Sequence, residues 1–183
     1  MTADADFDAD PASIDLNAHI RDIPDFPQPG ILFKDITPLL AHPLAFRASV
    51  DRLAEAFAGR SIDIVAAAEA RGFLFGTPLA LRLGVGFVPI RKPGKLPYST
   101  VGMEYVLEYG SNRLEMHSDA IQPGQRVLLV DDVLATGGTM AACRTLVERA
   151  GGIVVASAFV IELGFLNGRA VLEPGEVFAL LKY

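Results

Sequence analysis

The sequence predicts an α/β protein with a mainly parallel sheet flanked by helices. Three observations carry that prediction. Runs of strand length are apolar throughout rather than alternating, as in IDIVAAA (62–68), VLLV (127–130) and IVVASAFVI (153–161); strands covered on both faces read this way. Segments of helical period stand between them. Three polar turns, EARG (69–72), RKPGK (91–95) and DDVLATGGT (131–139), follow strands, at the ends where parallel sheets collect ligands.

In chain order, residues 1–12 are acidic and Ala/Asp-rich, which predicts a frayed, disordered tail. Leu16 to Ile23 is expected to form a short helix, ended by the proline-rich DIPDFPQPG. A longer helix fits HPLAFRASVDRLAEAFAG, where Leu44, Ala48, Leu53 and Phe57 fall near one face and Gly59 closes it. The strand IDIVAAA follows, then a helix over FLFGTPLALRLG that stops at Gly84, then the strand VGFVPI. MEYVLEY alternates as strands do, with Met103, Tyr105, Leu107 and Tyr109 on one side, and reads as a ribbon. VLLVDD, the helix TMAACRTLVERA with its Gly151-Gly152 stop, IVVASAFVI and VFALL complete the pattern.

Composition narrows the function classes. With 183 residues, 51% of them hydrophobic and 21% charged, the chain is of globular type and long enough for one domain with a full core. A formal net charge of −6 argues against a nucleic-acid partner. No apolar run reaches the ~18 residues of a membrane span, and the acidic start is unlike a secretory signal, so a cytoplasmic location is expected. Cys143 stands alone in a helical pattern and reads as a buried filler. His19, His42 and His117 show no metal-ligand spacing.

The most informative stretch is VLLVDDVLATGGTM (127–140). Acids at the end of a buried strand are costly to desolvate unless something pairs with them. The turn after Asp131 and Asp132 has small residues where backbone amides can approach an anion, but it is neither of the common nucleotide glycine motifs. A helix N-terminus with hydroxyls from Thr136 and Thr139 can hold a phosphate monoester. The two carboxylates can accept from a sugar diol or meet a hydrated Mg2+. Phosphate and diol together describe a ribose 5-phosphate. The plainer alternative is a structural turn whose acids cap the helix.

VLLVDDVLATGGT resembles the phosphoribosyl-pyrophosphate motif of the type I phosphoribosyltransferases. PDFPQPGILFKDITPLL (24–40), EARGFLFGTPLALRLGVGFVPIRKPGKLP (69–97) and LEYGSNRLEMHSDAI (107–121) resemble the adenine-specific members in particular. The resemblance runs from about Asp22 to the C-terminus. It implies a single phosphoribosyltransferase domain over 1–183 with the type I fold, comprising a small N-terminal base-binding hood (13–40) and a flexible β flap (93–110) over the active site. It also implies transfer of a phosphoribosyl group to adenine, giving AMP and pyrophosphate, with Mg2+ held mainly by substrate, and a homodimer. Rival readings are a 6-oxopurine substrate or a non-catalytic sensor of the sugar diphosphate.

The resemblance distributes roles as follows. Glu108 in LEYG matches the proposed catalytic acid/base, acting at N7 while N9 joins C1′. Arg71 in EARG would neutralise the departing pyrophosphate, although a surface ion pair is the alternative for it. A non-proline cis peptide is implied near Ala70–Arg71. Arg91, Lys92 and Lys95 add cations at the next strand end. Asp131, Asp132, Ala135, Thr136, Gly137, Gly138 and Thr139 would bind ribose and 5′-phosphate, with Asp131 or Asp132 near the metal. Phe33 and Leu163 would sandwich adenine, with backbone groups around Leu32 and Lys34 reading its edge; without the resemblance Phe33 reads as core.

Overall fold

The computed structural model describes residues 13–106 and 111–183. The expected tail, 1–12, and the flap residues Leu107, Glu108 and Tyr109 lie outside the described residues. The chain forms two compact units, Met1–Ala56 and Phe57–Tyr183.

In the first unit, a 3-10 turn over Leu16–His19 is capped by Asp15, whose carboxylate accepts from the Asn17 amide. The helix expected over Leu16–Ile23 stops there. Ile20 is extended, and β1 (Arg21–Pro24) pairs antiparallel with β2 (Leu32–Asp35), with Ile23 opposite Phe33. The ladder satisfies backbone groups that a second helical turn, running into Pro24, would leave unpaired. A short α1 (Thr37–Ala41) leads into α2 (Pro43–Ala56). Leu44, Ala48 and Leu53 are buried, as their spacing predicts.

The second unit carries the apolar strands. In order it contains β3 (Ile64–Ala68), α3 (Gly72–Leu83), β4 (Gly86–Ile90), β5 (Thr100–Val106), β6 (Ser111–His117), β7 (Arg126–Leu134), α4 (Gly138–Arg149), β8 (Ile153–Glu162), α5 (Gly168–Val171) and β9 (Val177–Lys182). Five strands form one sheet in the order β4-β3-β7-β8-β9, every pair parallel. Val127 to Val130 are wholly buried, which is why that stretch is apolar without alternation. α4 packs Met140, Cys143, Leu146 and Val147 into the core. Burial pushes the Cys143 thiol above its ordinary pKa, consistent with a filler.

β5 and β6 form a separate antiparallel hairpin, with Met103 opposite Leu114. Its base is anchored: Arg91 and Glu115 exchange backbone hydrogen bonds of 2.8 and 2.7 Å, and Leu114 and Met116 are buried. The order of the main sheet has a direct consequence. From β3 the chain passes through α3 to β4 on one side, whereas from β7 it passes through α4 to β8 on the other. The connections therefore diverge between β3 and β7, and a crevice opens beyond their carboxyl ends.

Candidate active site

β7 supplies the floor of this crevice through an asymmetry of pairing. Its ladder with β3 ends at Ala67 opposite Val130, while its ladder with β8 continues to Leu134 opposite Glu162. Asp131 and Asp132 thus sit on a strand that β8 still supports, past the point where β3 has turned away. Asp132 is 4% exposed. Asp131 accepts from the Asp132 amide at 2.9 Å, and burial, then the neighbouring Asp132 charge, pushes its carboxyl well above the usual range. An acid held in this state gains from hydroxyl donors or a cation arriving beside it.

The turn after β3 faces the same space. Its peptide between Glu69 and Ala70 is cis, one bond before the position implied by the resemblance. Arg71 Nε donates to Asp132 Oδ2 at 2.5 Å, while the Arg71 side chain stays 54% exposed. α3 can start this close because Gly72 and Gly76 face the sheet. A Cβ on Gly72 would lie 3.0 Å from both Asp131 Oδ1 and the Val130 carbonyl oxygen, and one on Gly76 2.9 Å from Ala67 Cβ. The i, i+4 glycines of GFLFG are the sequence signal of this approach, and the motif reading missed them.

The cations after β4 separate in the structure. Arg91 turns to Glu69, with Nε donating to Oε2 at 2.7 Å, and its Nη1 donates to the Lys95 carbonyl oxygen at 3.2 Å. Lys92 faces the crevice; the Lys95 side chain is exposed. After β7, the loop turns at Gly137, which has φ +85° and precedes the first residue of α4. That left-handed conformation suits glycine, and the first turn of the helix brings its N–H groups to the loop. Thr136 is exposed and Thr139 half-buried.

Arg71, Lys92, Asp131, Asp132 and Thr139 line one cavity of about 400 Å³, together with Glu69, Ala70 and Leu114. That volume suits a small metabolite. Of the residues expected to bind the sugar and its phosphates, Arg91, Lys95, Ala135, Thr136, Gly137 and Gly138 do not line it. Leu114, in the base of the hairpin, and Glu69 were not foreseen. Among the described residues no three His, Cys, Asp or Glu side chains cluster as a metal site.

The residues expected to contact the base fall in both units. In the first, Leu32 is 46% exposed, Phe33 is half-buried with its ring edge-on to Phe26 at 5.2 Å, and the Lys34 amine meets Asp22 at 2.6 Å. Phe33 is therefore not the core residue that hydropathy alone suggests. In the second, half-buried Leu163 follows β8, its amide donating to the Leu134 carbonyl at 2.9 Å. Glu108 lies outside the described residues.

Comparison with known proteins gives the family. Residues 36–170 match the phosphoribosyl transferase domain family. The chain is 59% identical over 170 residues to the adenine phosphoribosyltransferase of Rhodopirellula baltica, covering 93% of this chain and 82% of that one. The crystal structure of adenine phosphoribosyltransferase from Thermoanaerobacter pseudethanolicus superposes with a TM-score of 0.90 at 57% identity, covering 92% and 98% of the two chains. The Saccharomyces cerevisiae enzyme, complexed with D-2,5-dideoxy-2,5-imino-altritol 1,6-bisphosphate and adenine, does so at 0.85 and 45% identity, covering 90% and 96%. The switch-point crevice, its acid pair and glycine loop, and relatives matched over nine-tenths of the chain lead to one conclusion: the chain belongs to the phosphoribosyltransferase family, in its adenine phosphoribosyltransferase branch.

Proposed function

We propose that the crevice between the carboxyl ends of β3 and β7 carries out the family's transfer, in which adenine and 5-phospho-α-D-ribose 1-diphosphate become AMP and pyrophosphate. One observation carries this assignment: the β7 acids, the Arg71 turn and Thr139 of the glycine loop share one cavity. Residues 135–139 hold the 5′-phosphate through backbone N–H groups and the hydroxyls of Thr136 and Thr139. Asp131 and Asp132 accept from the ribose hydroxyls. The pyrophosphate lies against the Glu69–Arg71 turn, with Arg71 and Lys92 on the cavity wall and Arg91 and Lys95 adding positive charge at the neighbouring strand end.

Leu32, Phe33, Lys34 and Leu163 are the proposed adenine contacts, a reading that rests on the family resemblance. The yeast relative's complex with adenine supports the choice of base. A backbone carbonyl and amide can match the exocyclic amine and N1 of adenine and leave a 6-oxopurine with unpaired groups. As N9 bonds to C1′, the C1′–oxygen bond to pyrophosphate breaks and N9 loses its proton; Glu108 serves N7 as acid/base. The ribbon within 93–110 acts as a flap that keeps water from the cationic sugar.

Mg2+ would be held mainly by substrate oxygens and water, with Asp131 or Asp132 of the cavity wall beside it, and when bound would neutralise the leaving diphosphate. The family match crosses the boundary of the two compact units, which supports reading 1–183 as one phosphoribosyltransferase domain. A homodimer and a cytoplasmic location complete the proposal. No described helix is long and apolar enough to cross a membrane.

Steady-state turnover with adenine, hypoxanthine, guanine and xanthine tests the reading. Adenine is expected to be strongly preferred; preference for a 6-oxopurine, or tight sugar-diphosphate binding with no AMP formed, would overturn it. A complex with AMP should carry its 5′-phosphate at 135–139.

A further inference from the structure

The glycine loop does not stand alone: a second backbone corner, at Asn167 and Gly168, lies against it. Gly168 is buried and begins α5. Its own backbone is ordinary, since it is absent from the positive-φ residues of the chain, and alanine would normally favour a helix more than glycine does. The space around it is what forbids a side chain. A Cβ there would overlap the Ala135 carbonyl oxygen and lie 3.0 Å from the Gly137 amide nitrogen. Reciprocally, a Cβ on Gly137 would lie 2.5 Å from the Gly168 carbonyl oxygen. The two segments therefore touch backbone to backbone, with glycine required on both sides.

The residue after Gly168 fixes the corner in place. Arg169 forms a forked pair with Glu162, Nε to Oε1 at 2.9 Å and Nη2 to Oε2 at 2.6 Å, and its Nη1 donates to the Val177 carbonyl oxygen at 2.6 Å. Glu162 is the last residue of β8 and lies opposite Leu134, the residue just before the loop. The clamp and the loop therefore leave the sheet at the same level. Neither Gly168 nor Arg169 lines the cavity.

From this contact we infer that Gly168, held by the Arg169–Glu162 pair, is a positioning residue that sets the 135–139 loop for the sugar 5′-phosphate. The inference rests on the proposed function, which assigns that phosphate to the loop. A phosphate cradle made of backbone amides loses its directed N–H groups when the peptide planes rotate. A methyl group at Gly168 must push on the Ala135–Gly137 peptides, since no flexible side chain stands between to yield.

The test uses the full chain and two probes, ribose 5-phosphate for the loop and pyrophosphate for the Arg71 turn, each titrated calorimetrically. Gly168→Ala is expected to weaken ribose 5-phosphate by at least ~tenfold while leaving pyrophosphate affinity unchanged. The KM for the sugar diphosphate should rise, and that for adenine should hold. Unchanged ribose 5-phosphate affinity, or equal loss of both probes, overturns the inference. If Gly168→Ala does not fold, Arg169→Met is read the same way, with Arg169→Lys recovering part of the loss. Failure of the unsubstituted protein to bind ribose 5-phosphate would instead sink the proposed function, and this inference with it.

Discussion

The two ends of the crevice are built from different materials. At the Arg71 turn the groups are charged side chains that pair with one another: Arg71 with Asp132, Arg91 with Glu69. At the glycine loop they are peptide groups, braced by other peptide groups at Gly168. On the proposed function, a ligand oxygen at the first end would take the place of a carboxylate, and affinity there would be a difference between two ion pairs. The second is braced by backbone contact with Gly168 and so pre-organised. A departing diphosphate suits the exchangeable end, and a phosphate retained throughout the reaction suits the fixed one.

The largest effect is expected at Gly137. Gly137→Ala introduces both an unfavourable left-handed backbone and a collision with the Gly168 carbonyl, so kcat/KM for the sugar diphosphate should fall by about two orders of magnitude. A fully active variant would mean the loop is not a fixed cradle. At the other end, Arg71→Ala should weaken pyrophosphate by roughly ten- to a hundredfold, the worth of a charge-assisted hydrogen bond. Pyrophosphate binding should also fall more steeply with added salt than ribose 5-phosphate binding; equal salt slopes would erase the distinction.

A smaller effect is expected at Asp131. Its carboxyl is crowded by burial and by Asp132, so Asp131→Asn should raise the Tm of the ligand-free protein by a few degrees while weakening sugar binding, a trade of stability for function. A lowered Tm would show that the acid is satisfied within the protein. The smallest effect concerns the clamp. Hydrogen bonds from Arg169 hold the Glu162 carboxyl below its ordinary 4.5, so the ionised form is favoured in the folded state. Its contribution is complete above 4.5 and is lost as pH falls through the lower folded value. The Tm gap between the unsubstituted protein and Glu162→Gln should be widest near neutral pH and close in acid; a gap independent of pH would remove the ion pair from the account.

What the sequence revealed follows from how burial is written in it. The parallel strands were legible because two covered faces leave an unbroken apolar run, as at Val127–Val130. The β1–β2 ribbon was not, because its strands are short, rich in charge and without a fully buried residue, so no period of two survives. Asp131, Asp132 and the glycine loop were readable because they are contiguous. Arg71 and Asp132 stand 61 positions apart, and Arg91 and Glu69 are 22 apart. No local pattern announces that two such residues will meet. Gly168 lay deeper still, since an absent side chain acquires meaning only when the neighbour it would strike is known.

Cys143, the only sulfhydryl in the chain, is sealed in the helix that begins at the glycine loop. A thiol reagent can reach it only when that helix lifts from the sheet. The native protein thus carries its own clock for such opening, and the pace of modification, with and without nucleotide, would time how often the cradle comes apart.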